Sequence, residues 1–192
     1  RQIRYLATQV PDGLVGRWDL VSNGGESPGK DVSGFHRDLQ SSGTVIPGVD
    51  RFGLSSAIAF GGGRLDHAGV ATNQTAGITL GAWIFPKDYG NVGVNTIVLN
   101  GHSSSGGYEL YIDGTSQRLC FLISGFDSFC STVTIPLNVW THVTLVSESP
   151  TVWKLYVNGA AAGNFSVTTV NTPVTGVFIG RNQSNDEAFF GS

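Results

Sequence analysis

The sequence predicts an all-β protein built as an antiparallel two-sheet sandwich, and three observations carry that expectation. Runs of roughly five to nine residues with alternating apolar and polar side chains recur about every 8–15 residues, the rhythm of short strands joined by tight turns. No window holds apolar residues at i, i+3, i+4 and i+7 over three turns, so helix has no support. The composition agrees, with 27 glycines, a charged fraction of 13% and no methionine, and with β-branched and aromatic residues spread along the chain. At 192 residues the chain matches the size, about 200 residues, that such a sandwich reaches as one domain.

Residues 1–12 read as a connector, and the turn signal Pro11-Asp12-Gly13 opens a domain over residues 13–192. LVGRWDL follows as the expected first core strand. VSNGGESPGKDVSG, from Val21 to Gly34, is a loop rich in turn residues. Ala57, Ala59 and Phe60 mark a strand that ends in three glycines. In ITLGAWIFP, Ile78, Leu80, Ala82 and Ile84 share one face and Trp83 and Phe85 the other. Two apolar faces predict a central strand buried on both sides. NTIVLNG, GYELYIDG, RLCFLISG, SFCSTVTI, WTHVTLVSE, WKLYVNGAA and GVFIGRN continue the series. Asn158-Gly159 is the pair best suited to a type I′ hairpin, and Trp140, Val143 and Tyr156 are expected to pack inward.

The net charge of −3 and the absence of a Lys/Arg cluster exclude a polyphosphate-binding surface, which needs basic side chains to displace counterions. No apolar run approaches the roughly 20 residues needed to cross a bilayer, and the opening RQIRYLATQV lacks the apolar centre of a signal peptide, so an exported form would have lost its signal. Cys120 and Cys130 flank FLISGFDSF between two strand-like runs; a hairpin disulfide and a pair of buried thiols both fit. Asn73, Asn164 and Asn182 each open an N-glycosylation triplet. Cysteines and triplets together point to an oxidising, extracellular setting, secreted or at the cell surface.

Taken in order, GLVGRWDL, KDVSG with RDL, FGLSSAIAFGGG, ITLGAWIFP, GYELYIDG, NVWTHVTLVSES, WKLYVNGAA and VFIGRNQSNDEAFFG resemble the laminin-G-like domains of the concanavalin-A-like jelly-roll class, from about Gly13 to Ser192. The resemblance implies a jelly roll in which one more strand follows the last segment, whereas this sequence stops at Phe190-Gly191-Ser192. The expectation is a sandwich lacking its last strand, with an open sheet edge to which a protein partner adds a strand. The resemblance also implies calcium, held by the 21–34 loop through Asp31 with Asp19, Asn23 and Glu26; an Asx-turn at Asp31 explains the same residue. For a glycan it points to the rim loops, with Asp88, Tyr89, Asn91 and Asn95, then Asn100 and His102, then Arg181, Asn185, Asp186 and Phe189. Each of these loops also reads as an ordinary polar turn.

Glycoside hydrolases of this fold resemble one another in an E-x-D-x-x-E strand, which is missing here. Glu109 and Asp113 in YELYID, the nearest pair beside Asp186-Glu187, would share a strand face about 13 Å apart, too far for a retaining pair at about 5 Å. His36, His67, His102 and His142 are scattered without metal-ligand spacing, and His142 reads as a structural residue within its strand. No G-x-S-x-G elbow occurs. The preferred reading is therefore a non-catalytic extracellular interaction or structural module of a cell-surface or matrix assembly. A calcium-dependent, lectin-like carbohydrate-binding module comes second and a glycoside hydrolase last.

Overall fold

The computed structural model describes residues 13–21, 28–90, 93–102, 104–123, 127–167, 170–184 and 187–192. The predicted connector 1–12 lies outside them. The described residues form strands and turns without helix: β1 (Gln40–Ser42), β2 (Val45–Gly48), β3 (Ala57–Gly61), β4 (Arg64–His67), β5 (Thr79–Ile84), β6 (Pro86–Asp88), β7 (Val94–His102), β8 (Gly106–Asp113), β9 (Arg118–Ile123), β10 (Asp127–Thr134), β11 (Thr141–Ser149), β12 (Val152–Val157), β13 (Ala160–Ser166), β14 (Gly176–Ile179) and β15 (Phe190–Gly191).

All pairings are antiparallel. One layer is a seven-stranded sheet in the order β1-β4-β14-β7-β8-β9-β10. The facing layer comprises two four-stranded sheets, β13-β12-β11-β5 and β2-β3-β15-β6, joined where β5 runs through Phe85 into β6. The core is one cluster drawn from all three sheets, with Ile58 and Phe60 from β3, Leu110 and Phe121 from the seven-stranded sheet, and Leu145 and Trp153 from β11 and β12. Trp153 is fully buried, its ring stacked at 5.6 Å on Phe121 and tilted at 5.8 Å against Tyr108. Aromatic pairs at such separations add about 0.5–1.5 kcal/mol each beyond the area they bury.

The period-2 pattern places most side chains as expected: Val143 is buried, and Asn158 and Gly159 both have positive φ, 50° and 79°, as a type I′ turn requires. Cys120 and Cys130 face each other across β9 and β10 and are joined as a disulfide.

Three expectations are corrected. LVGRWDL forms no strand; it is held by the isolated bridge Trp18↔Asp31 and by the Trp18 indole N–H donating to the Arg37 carbonyl at 2.9 Å. ITLGAWIFP is not central, because β5 ends its sheet and leaves Trp83 45% exposed. β8 is buried on both faces. Tyr156 sits on the outer face, since the alternation of β12 sends Trp153 and Leu155 inward, and Trp140 is half-buried against Phe85 at 5.4 Å.

Candidate ligand-binding face

The rim residues singled out in the sequence mostly serve the scaffold. Tyr89 donates its hydroxyl to the Ile135 carbonyl at 2.5 Å. Asp88 closes a local turn by accepting from Gly90 N–H at 3.1 Å. Asn95 is buried and donates to the Ile112 carbonyl at 3.1 Å. Asn100 is buried, donating to Tyr108 and Thr72 and accepting from Ala71 N–H. His102 accepts from Ser104 N–H through Nδ1 at 3.2 Å. Arg181 donates to the Gly62 carbonyl at 2.7 Å, and Phe189 is buried. The first and third loops meet at Phe190, which pairs with Asp88 and with Gly61 next to the Gly62 that Arg181 holds, whereas Asn100 and His102 stand further along β7. Asn91, Asn185 and Asp186 lie outside the described residues.

Asp31 occupies a cradle of N–H donors. Its carboxylate accepts from the backbone N–H of Arg17 (3.3 Å), Ser33 (2.8 Å) and Arg37 (3.1 Å), while its own N–H donates to Asp38 at 2.8 Å. Burial alone would raise its pKa, but the Ser33 hydroxyl and these N–H groups outweigh burial and hold it below the ordinary carboxylate value. Oxygens occupied by donors are poor partners for a cation that wants six to eight oxygen ligands. Asp19 is exposed and paired with Arg17 at 2.8 Å; Asn23 and Glu26 lie outside the described residues. Among the described residues no group of three or more His, Cys, Asp or Glu could hold a metal, and the described part of the 21–34 loop shows the Asx-type turn at Asp31.

Of the glycosylation triplets, Asn73 and Asn164 are exposed. Asn182 is corrected: it is 2% exposed and donates its amide to Glu187 at 2.5 Å, leaving no room for an oligosaccharide in the folded domain. Glu109, in the middle of β8, is fully buried and accepts from the Thr96 hydroxyl at 2.5 Å. Asp113 lies four residues further along the same strand, about 13 Å away.

A different set of side chains converges on the outer face of β5 and β11. The register pairs Trp83 with His142 and Gly81 with Thr144, and the next strand adds Tyr156 beside Thr144. The Trp83 and His142 rings lie 5.1 Å apart. His142 Nδ1 faces the Thr144 hydroxyl at 3.4 Å, and its Nε2 has no hydrogen-bond partner among the described residues. Gly81 between them leaves a shallow depression: a Cβ at this position would have His142 Nε2 and Thr144 Oγ1 at 3.8 Å. From the β2–β3 connection, the Arg51 guanidinium lies 4.3 Å from the Trp83 ring centre and 4.6 Å from that of Phe52. An aromatic plane beside a hydroxyl and an imidazole, around a glycine floor, suits a ligand with both an apolar face and hydroxyl groups. Sequence reasoning missed this set because it read Trp83 as a buried residue and His142 as structural. The available signal was Thr79-x-Gly81-x-Trp83, a mixed face no dry core would choose.

A cleft of about 790 Å³ opens beside this face, between β5 and β3, with residues 16–21 along it and Ile97 and Ile179 of the seven-stranded sheet at its floor.

Comparison with solved structures finds the same architecture elsewhere. Domain 4 of AbnA, a GH43 extracellular arabinanase from Geobacillus stearothermophilus, in complex with arabinotriose, superposes with a TM-score of 0.65 at 17% identity over 85% of this chain and 82% of that one. The binding domain of Paraclostridial Mosquitocidal Protein 1 gives 0.60 at 18% identity over 83% of this chain and 43% of the other. The receptor-binding domain of botulinum neurotoxin type G gives 0.56 at 15% identity over 84% of this chain. The chain spans about two fifths of each toxin structure's length. No curated protein matches it in sequence. The family model described as the concanavalin A-like lectin/glucanases superfamily matches residues 60–192, well over half of the chain, and with the two-layer antiparallel architecture it makes this chain a member of that superfamily.

Proposed function

We propose that the domain is a non-catalytic binding module that holds a saccharide on the outer face of β5 and β11 within an extracellular assembly. The observation that carries this reading is the grouping of Trp83, His142 and Thr144 around the Gly81 depression. A pyranose or furanose offers an apolar face to an indole and hydroxyls to neighbouring donors and acceptors, and ligand sites combine apolar surface with a few placed polar groups in this way. The arabinotriose complex of the AbnA domain supports the choice of ligand class. The enclosure of Glu109 and its distance from Asp113 support a role without hydrolysis. The Cys120–Cys130 bridge supports an oxidising, extracellular setting.

The test is retention on a glycan array followed by titration calorimetry with the best oligosaccharide, using wild type, Trp83→Ala and His142→Ala. Both substitutions should weaken binding at least tenfold, and a calcium chelator should leave it unchanged, because the polar groups around the Gly81 depression are an imidazole and a hydroxyl. Wild-type affinity in Trp83→Ala would remove the proposal, and release of reducing sugar from a bound oligosaccharide would remove its non-catalytic part.

A further inference from the structure

Beside β5 stand the charged side chains Arg17, Asp19, Asp50 and Arg51, and they differ in what they are bound to. Arg17 and Asp19 pair with each other at 2.8 Å. Asp50 is occupied by its own loop: one carboxylate oxygen accepts from the N–H of Phe52 (2.8 Å) and of Leu54 (2.9 Å), and the other accepts from the Ser56 hydroxyl. That hydroxyl is the chief cause holding the Asp50 carboxyl below the ordinary carboxylate value, and the Arg51 charge is the least. Arg51 itself enters no hydrogen bond or ion pair with a described residue. Its charge is the one in this group without a bonded counterion.

The loop also fixes where that charge sits. Asp50 N–H donates to the Leu54 carbonyl at 2.7 Å and Gly53 N–H to the Asp50 carbonyl at 3.1 Å, so residues 50–54 close on themselves around the Asp50 carboxylate. The turn holds the exposed Arg51 with its guanidinium 4.3 Å from the Trp83 ring centre and 4.6 Å from that of Phe52. An arginine resting against two rings has already given up part of the side-chain freedom that a ligand would otherwise have to freeze. Ring faces attract the cation but leave its five N–H donors, arranged in a flat fork, to be taken by oxygen. Two oxygens of one anionic group match that fork.

Trp83 brings the fork to the ligand. The same indole has the His142 ring at 5.1 Å, and His142 Nε2 borders the Gly81 depression. With 45% of Trp83 exposed, a sugar ring resting on the indole and the depression has Arg51 beside it, within reach of a substituent on that ring. A lone cation suits one anionic group and not a row of phosphates, which needs many basic side chains to displace counterions. We infer that the saccharide held on this face is acidic and pairs a carboxylate or sulfate ester group with Arg51. The inference rests on the reading of the β5–β11 face as a saccharide site.

Titration calorimetry of the 192-residue chain with matched trisaccharides tests this. For glucose, galactose and mannose, each set holds the neutral trisaccharide, its uronate, the methyl ester of that uronate and the primary sulfate ester. In at least one set the uronate or the sulfate should bind at least about tenfold more tightly than the neutral parent and the methyl ester, and whichever gains identifies the group. The advantage should shrink as salt rises from about 0.1 to about 1 M, where the screening length falls from about 10 to about 3 Å. In Arg51→Gln the ratio of acidic to neutral affinity should fall below about twofold, whereas Trp83→Ala should weaken acidic and neutral ligands together. The comparison of acid with methyl ester is made on the unaltered protein, so it holds even if a variant folds poorly. Neutral ligands that bind and are weakened by Trp83→Ala, with no gain from either acid, would overturn the inference and leave the saccharide site standing. A gain that survives in Arg51→Gln would put the anionic group elsewhere on the protein and overturn it as well. Failure of every trisaccharide would remove the saccharide site and this inference with it.

Discussion

Gly81→Ala separates fold from site because the two should respond in opposite directions. Gly81 lies in the middle of β5 with its outer side open, and a Cβ there meets its neighbours, His142 Nε2 and Thr144 Oγ1, at 3.8 Å, ordinary contact distance. The substitution therefore introduces no overlap, and it removes the extra unfolded-state freedom that glycine brings to a strand, worth about 0.5–1 kcal/mol. For a domain of this size that corresponds to a melting temperature roughly 1–4 °C higher. The same methyl group fills the depression and holds a ligand hydroxyl away from both polar atoms. Losing two neutral hydrogen bonds at about 0.5–1.5 kcal/mol each lowers affinity by roughly one to two orders of magnitude, at about 1.4 kcal/mol per tenfold. Differential scanning calorimetry of the free protein and calorimetric titration with the array-selected oligosaccharide read the two effects. Unchanged affinity would show that the ligand does not use this floor. A fall in both melting temperature and affinity would show that the strand itself had been disturbed.

Other perturbations probe the scaffold. Asp31→Asn replaces an acceptor that gathers three backbone N–H groups and should cost about 1–3 kcal/mol in urea denaturation at pH 7. Because the folded pKa of Asp31 is depressed, its stabilisation is complete above the unfolded value of about 3.9 and is lost as pH falls through the lower folded value, so the difference between wild type and variant should shrink below about pH 4. Tyr108, pushed up to about 12 by burial that outweighs the Asn100 hydrogen bond, should stay un-ionised at pH 10, read as a tyrosinate absorbance at 295 nm short by one group against the unfolded chain; between pH 10 and about 12 the unfolded chain releases a proton that the fold retains, and stability declines. Gly180→Ala, at φ +83° with a Cβ directed into the Phe60 ring, should lose about 2–4 kcal/mol, visible as a shifted denaturation midpoint. Replacing both Cys120 and Cys130 by serine opens a loop closed at a separation of 10 residues and should cost about 2–3 kcal/mol, an effect matched by adding reductant to the wild type.

Much of the architecture was legible because a strand's period of two leaves a direct trace in sequence: the hairpin at Asn158-Gly159, the inward Val143 and the cross-strand cysteines follow from it. What alternation does not reveal is which layer lies over each face. ITLGAWIFP and GYELYIDG both have large side chains on two faces, but neighbours cover both faces of β8 while β5 is left at a border with Trp83 outside. The polar residues misled in the opposite direction. Asn95 and Asn100 looked like rim groups, but their amides satisfy backbone and side-chain partners inside the fold, something decided by residues distant in sequence such as Ile112 and Thr72. The Trp83–His142–Thr144 grouping depends on the pairing of β5 with β11, about 60 residues apart in the chain, and pairing across that distance is written in no local pattern.

The placement of the indoles gives the protein a built-in optical readout. Trp153, sealed against Phe121, should emit at short wavelength and resist acrylamide for as long as the interior stays packed. Trp83, 45% exposed, should emit further to the red and quench readily, so occupation of the β5 surface and melting of the interior register at different ends of one fluorescence spectrum.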